Sequence, residues 1–127
     1  MKNPDYMDED GFWYVCKIQK EYTNLPCNIY VDDFGCENKQ REINVPKIYF
    51  QDNNNDKFDV DYLVSISISN EPKILDNIKI NLSEKEINEI KKFIINNENI
   101  LLKQWYQEVD ELDLFKKIIV NNIDNQT

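Results

Sequence analysis

The sequence predicts an α+β fold, a mainly antiparallel sheet of about four to six strands followed by C-terminal helices packed on one of its faces. Two stretches carry this expectation. Residues 58–69 read F-D-V-D-Y-L-V-S-I-S-I-S: Phe58, Val60, Tyr62, Val64, Ile66 and Ile68 are apolar or aromatic, and the intervening Asp59, Asp61, Ser65, Ser67 and Ser69 are polar, with Leu63 the exception. A repeat of two over that length belongs to a strand with one buried and one wet face. Further on, Ser83-Glu84-Lys85-Glu86 has the spacing of a capping box, and Ile87, Ile90, Ile94, Leu101 and Trp105 follow it along one helical face. Strands come first and helices last, so a sheet with its apolar face under the helices satisfies both periodicities.

Residues 1–11 form an acidic lead-in, read as a mobile segment. The sheet region spans 12–81. Its first strand is expected at 12–19, with Phe12, Tyr14, Cys16 and Ile18 on one face and Trp13, Val15 and Lys17 on the other. Thr23-Asn24-Leu25-Pro26 supplies turn chemistry before a second strand at 27–31, where Cys27, Ile29 and Val31 alternate with Asn28 and Tyr30. Asp32-Asp33-Phe34-Gly35 suits a hairpin turn with its return strand at 36–45. Residues 46–51 make another short strand, with Ile48 and Phe50 against Lys47 and Tyr49, and the Asn-rich 52–57 stretch is a loop.

After the long alternating strand, Asn70-Glu71-Pro72 interrupts the pattern, and 73–81 is expected to be a last short strand. The helical region spans 83–120. Asn96, Asn97 and Asn99 are poor helix formers and leave room for a kink or break. Asp110 suits the cap of a final helix from Glu111 to about Val120, with Leu112, Phe115 and Ile119 facing inward and 121–127 as a frayed tail. No repeat or linker divides the chain, so 1–127 reads as a single domain.

Charge and composition narrow the function. Lys and Arg total 15 against 24 for Asp and Glu, a formal net charge of -9 that repels a phosphate backbone and favours a basic partner. The same acidity also serves solubility. The apolar fraction is 41%, with a mean hydropathy of -0.67. Ala is absent while Asn, Ile and Lys abound, a bias expected of an AT-rich bacterial or phage-like genome. His is absent, which removes the commonest general base and metal ligand. Cys16, Cys27 and Cys36 have no C-x-x-C spacing, the first residues lack the apolar core of a signal peptide, and no run approaches a membrane span. The expected setting is a reducing cytoplasm with free thiols and no membrane.

Candidate chemistry is thin. Asp52-x-Asn54-x-Asp56 begins like a calcium loop, but Lys57 stands where the tight turn needs Gly and Leu63 where the bidentate Glu belongs. Glu37-x-Lys39 and Glu89-x-Lys91 match the acid-x-Lys spacing of metal-dependent nucleases, a pattern that arises by chance in a chain that is 31% charged. Cys16 and Cys27 fall on apolar faces, and Cys36 is the thiol expected to be accessible. The surface suits binding better than catalysis. Asp59 and Asp61 should project from the wet face of the long strand; Asp5, Asp8, Glu9 and Asp10 add an acidic arm; Trp13, Tyr30 and Tyr49 read as outward aromatics. Carboxylates around exposed aromatics suit a basic protein surface. The alternative is a sheet covered on both sides, whose aromatics simply pack.

Tyr22-Thr23-Asn24-Leu25-Pro26 followed by Ile29-Tyr30-Val31-Asp32 and a Gly turn, and Leu82-Ser83 opening a helix that runs to Leu101-Leu102-Lys103-Gln104-Trp105, resemble a group of small bacterial proteins without assigned activity. With the V-S-I-S-I-S strand, the resemblance covers most of the chain. It implies a compact domain in a bacterial or mobile-element setting and carries over no functional residue.

The leading expectation is therefore a small cytoplasmic binding protein of the inhibitor, immunity-type or nucleic-acid-mimicking kind, with Asp59, Asp61, Trp13, Tyr30, Asp8, Glu9 and Asp10 as partner-binding residues. It assigns no catalytic residue, metal or cofactor, and it leaves room for a homo-oligomer. The alternatives are a metal-dependent enzyme drawing on Asp32, Asp33, Glu37, Asp59 and Asp61, or a structural subunit of a larger assembly.

Overall fold

The computed structural model describes residues 15–32, 45–53, 55–106 and 108–126. Within them, β1 (Val15–Ile18), β2 (Ile29–Asp32), β3 (Lys47–Gln51) and β4 (Leu63–Ser67) form one antiparallel sheet in the order 1-2-3-4. Each strand pairs with the next in sequence, and the register aligns Cys16 with Val31, Ile18 with Ile29, Ile29 with Phe50, Phe50 with Val64 and Ile48 with Ile66. That alignment gathers the β-branched residues on one face. Helices α2 (Glu84–Asn96), α3 (Glu98–Trp105) and α4 (Glu111–Gln126) follow. Their Ile87, Ile90, Phe93, Ile94, Leu101, Trp105, Leu114 and Ile118 share one buried core with the strand residues. The α+β architecture thus follows from the two periodicities, each hiding its apolar side against the other.

The first helix was not anticipated. Residues expected only to turn form a single helical turn, α1 (Lys20–Thr23), closed by Asn24 at φ 60°, ψ 26°. Asn is among the few non-Gly residues that take this left-handed conformation readily, and its N–H donates to the Lys20 carbonyl at 2.8 Å. Asn28 is buried; its Oδ1 accepts from the Lys20 N–H at 2.9 Å and so ties α1 to the start of β2.

The long alternating stretch is only half a strand. Pairing runs out at Gln51 opposite Leu63, after which the Asp52 N–H donates to the Tyr62 carbonyl at 2.8 Å. Beyond that point β3 has turned into loop and offers no partner, so Val60–Tyr62 coil into a 3-10 turn. Val64, Ile66 and Ile68 keep their buried face, whereas Val60 and Tyr62 are 43% and 40% exposed.

The strand expected at 73–81 is likewise reduced, to a bridge between Ile74 and Ile66. Ser67 N–H donates to the Lys73 carbonyl and Leu75 N–H to the Ser65 carbonyl, each at 2.9 Å. The Asp76 carboxylate then accepts from the Ser65 N–H at 2.7 Å. A side-chain oxygen stands where a strand would place its carbonyl, and pairing stops.

The capping box forms as expected: the Glu86 N–H donates to Ser83 Oγ at 3.1 Å and the Ser83 N–H to Glu86 Oε1 at 2.9 Å. The Asn run breaks the long helix at Asn97, which is buried at φ -119°, ψ 16° and whose Nδ2 donates to the Phe93 carbonyl at 2.8 Å. Such a side-chain bond to the previous turn competes with the helical pattern.

Asp110 caps α4, its Oδ1 accepting from the Asp113 N–H at 2.8 Å. The inward face of that helix differs from expectation. Leu114 and Ile118 are each 1% exposed and enter the core, while Leu112 is 58% exposed. Two apolar stripes run along this helix, and α4 turns the second one inward. Phe115, from the first, packs edge-on against Tyr22 with ring centroids 4.9 Å apart. The helix also continues to Gln126, through residues expected to fray. Phe12, Trp13 and Tyr14 lie outside the described residues, as do 33–35 of the expected 32–35 turn and 36–44 of the expected 36–45 return strand; Asp32 ends β2 and Val45 is in no strand.

Candidate binding groove

The sheet's second face is built around Gln51. Alternation sends this side chain away from the helices, where it is fully buried. Its Nε2 donates to Asn53 Oδ1 at 2.8 Å, the Lys57 carbonyl at 3.0 Å and the Asn55 carbonyl at 3.1 Å. Its Oε1 accepts from the Asp59 N–H at 2.9 Å and from the Tyr30 hydroxyl at 3.5 Å. One amide therefore folds the loop after β3 back over the sheet, as a buried polar group must find partners. Tyr30 and Tyr49 form a small second cluster with half-buried Phe58 and Leu63. Tyr30 and Phe58 meet edge-on at 5.0 Å.

The same loop ends in the 3-10 turn, where the Asp59 carboxylate accepts from the Asp61 N–H at 3.0 Å. Between that turn and the 74–78 strap lies an open groove of about 400 Å³, lined by Tyr49, Val60, Asp61, Leu63, Ser65, Asp76, Asn77 and Ile78. Ile78 is 53% exposed, and Asp61 and Asp76 are both exposed. Lys20 forms an ion pair with Asp56 at 3.3 Å; no ion pair among the described residues involves Asp61 or Asp76. A smaller depression of about 270 Å³ beside the α2–α3 break is lined by Ile95, Asn96, Asn97, Glu98, Asn99, Ile100 and Lys117, one acid and one base among neutral residues.

The sequence-derived site divides accordingly. Asp61 lines the groove, but from the 3-10 turn and not from the wet face of a strand. Asp59 does not project from the wet face of a strand; it is half-buried and its carboxylate caps the turn. Tyr30, expected outward, is fully buried, and Tyr49 is 6% exposed, so these aromatics pack as the two-sided sheet would have them. Trp13, Asp5, Asp8, Glu9 and Asp10 lie outside the described residues, as do Asp33, Cys36, Glu37 and Lys39. Asp76 and Ile78 were missed because 73–81 reads as a strand; the turn-forming Asp76-Asn77 pair was the available signal.

Among the described residues, no group of three or more Cys, Asp or Glu could hold a metal ion. Asp52, first residue of the calcium-like spacing, is 3% exposed and structural: its Oδ2 accepts from the Asn81 N–H at 2.7 Å and its Oδ1 from the Leu82 N–H at 3.0 Å. Cys27 is buried in the core. Burial, assisted by the Asp52 and Glu86 carboxylates, pushes its thiol up to about 12. It is thus a poor nucleophile at neutral pH. Among the described residues no helix is long and apolar enough to cross a membrane. Comparison with protein-family models, with curated proteins and with solved structures gives no significant match.

Proposed function

We propose that this chain is a small acidic binding protein, of the inhibitor, immunity-type or nucleic-acid-mimicking kind, that docks on a basic protein surface and turns over no substrate. The observation that carries this reading is the groove, which sets exposed Asp61 and Asp76 beside exposed Val60 and Ile78 on a chain of net charge -9. Excess negative charge steers a basic partner and repels nucleic acid, while the apolar rim supplies area that water leaves on contact. The cytoplasm, in a bacterial or mobile-element setting, is the proposed location.

The test is capture from a lysate of the source cell, followed by identification of the bound protein and titration against salt. The expected partner is basic, and its affinity falls steeply as ionic strength rises. An acidic partner, or an affinity flat with salt, would sink the reading.

A further inference from the structure

We infer that the groove receives a single long cationic side chain, a lysine or arginine, presented by the basic partner between apolar neighbours. This deepens the function proposed above and rests on it. Four observations fix the occupant's chemistry. The groove holds about 400 Å³, near the lower end of the roughly 300–1,000 Å³ range of small-molecule pockets, so it suits a side chain and not a helix. Its lining mixes two kinds beside Tyr49, Ser65 and Asn77: Val60, Leu63 and Ile78 are aliphatic, and Asp61 and Asp76 are anionic. A side chain with a methylene stem and a charged tip satisfies both, laying the stem on the aliphatic residues and holding the tip between the carboxylates.

The carboxylates also have capacity to spare. Asp76 engages the Ser65 N–H through Oδ2 alone, and Asp61 contributes only its backbone N–H to the turn. Neither pairs with a Lys or Arg among the described residues. Finally, the walls are held in place before anything binds. The 3-10 turn is fixed by Asp59 and, through the Asp59 N–H, by buried Gln51; the strap is fixed by the Ser65–Asp76 bond. A preformed site avoids the ordering cost of closing on its ligand.

The experiment titrates the intact protein with capped Leu-Arg-Leu and capped Leu-norleucine-Leu peptides at low salt, followed by amide chemical shifts. The comparison is an Asp61→Asn, Asp76→Asn double variant. Asn at 76 retains an oxygen to accept from Ser65, so the strap keeps its anchor while the charge is lost. The arginine peptide should shift amides at 60–65 and 76–78, bind about fivefold more weakly to the double variant, as expected for losing two partly exposed ion pairs, and outperform the norleucine peptide. Equal binding of both peptides, or an unaltered affinity in the double variant, overturns the inference. Shifts confined to other acidic surface overturn the groove but leave the broader reading standing. Shifts nowhere overturn the groove too, and the salt titration of the captured partner then decides the broader reading separately.

Discussion

The carboxylate of Asp52 binds the backbone N–H of Leu82 at 3.0 Å, joining the end of β3 to the entrance of α2 across 30 residues. Its other oxygen takes the Asn81 N–H, so one side chain holds both amides of the segment that leads into the capping box. Asp52→Ala would leave the two amides without that partner, and a stability loss of about 2 kcal/mol is expected from losing charge-assisted bonds. Urea unfolding checks it: the midpoint should fall with little change in slope. An unchanged midpoint would show that the clamp is incidental.

Gln51 should matter more locally than globally. Gln51→Leu preserves bulk but removes the acceptor of the Asp59 N–H and the donor to three loop oxygens. Hydrogen exchange of the amides at 55–61 is expected to quicken by roughly tenfold, since the loop loses the bonds that hold it closed. Exchange in the core helix α2 should respond much less.

Cys27 gives a pH dependence with a definite sign. Its thiol ionises at 9.0 when unfolded and is pushed to about 12 when folded, chiefly by burial. Between those values the unfolded chain releases the proton while the native chain keeps it, so stability is fully present below pH 9 and declines as pH rises toward 12. Cys27→Ala should flatten this part of the alkaline unfolding curve, read by denaturant titration from pH 8 upward. Under native conditions at pH 8, alkylation of Cys27 should be slow and should accelerate on adding urea.

Helix α4 offers a paired test of which apolar stripe faces inward. Leu114→Ala removes a side chain that is 1% exposed, and about 2–5 kcal/mol of stability should go with it. Leu112→Ala removes one that is 58% exposed, and the change should stay within about 0.5 kcal/mol. Equal losses at the two positions would contradict the orientation of the helix.

Where local pattern and tertiary contact agree, the fold was readable in advance. Ser83 and Glu86 sit three apart and bond to each other's backbone, and Ile87, Ile90, Ile94, Leu101 and Trp105 are all buried. Where pairing depends on a distant segment, alternation misleads. Phe58, Val60 and Tyr62 carry the strand period, but β3 ends opposite Leu63, and period alone does not reveal where a neighbour stops. Tyr30 illustrates the same limit in the third dimension, because alternation assigns a face without saying whether that face is covered. In α4 the sequence holds two apolar stripes, and only docking selects Leu114 and Ile118 over Leu112. Of the groove, Asp61 was singled out as an acidic surface residue but on a strand, whereas it sits in the 3-10 turn; Asp76 was hidden because it acts by terminating a sheet, a role that depends on Ser65 being within reach.

That terminating carboxylate has a consequence for the molecule's behaviour in a crowded cell. β4 ends the described sheet, and its uncharged Leu-Val-Ser-Ile-Ser run is the kind of edge on which further strands can pair. Asp76 occupies the Ser65 amide that an incoming chain would need, and it meets any such chain with a negative charge. The strap thus closes this stretch of the β4 edge as a gatekeeper residue does, and a second copy's edge would meet the Asp76 carboxylate there.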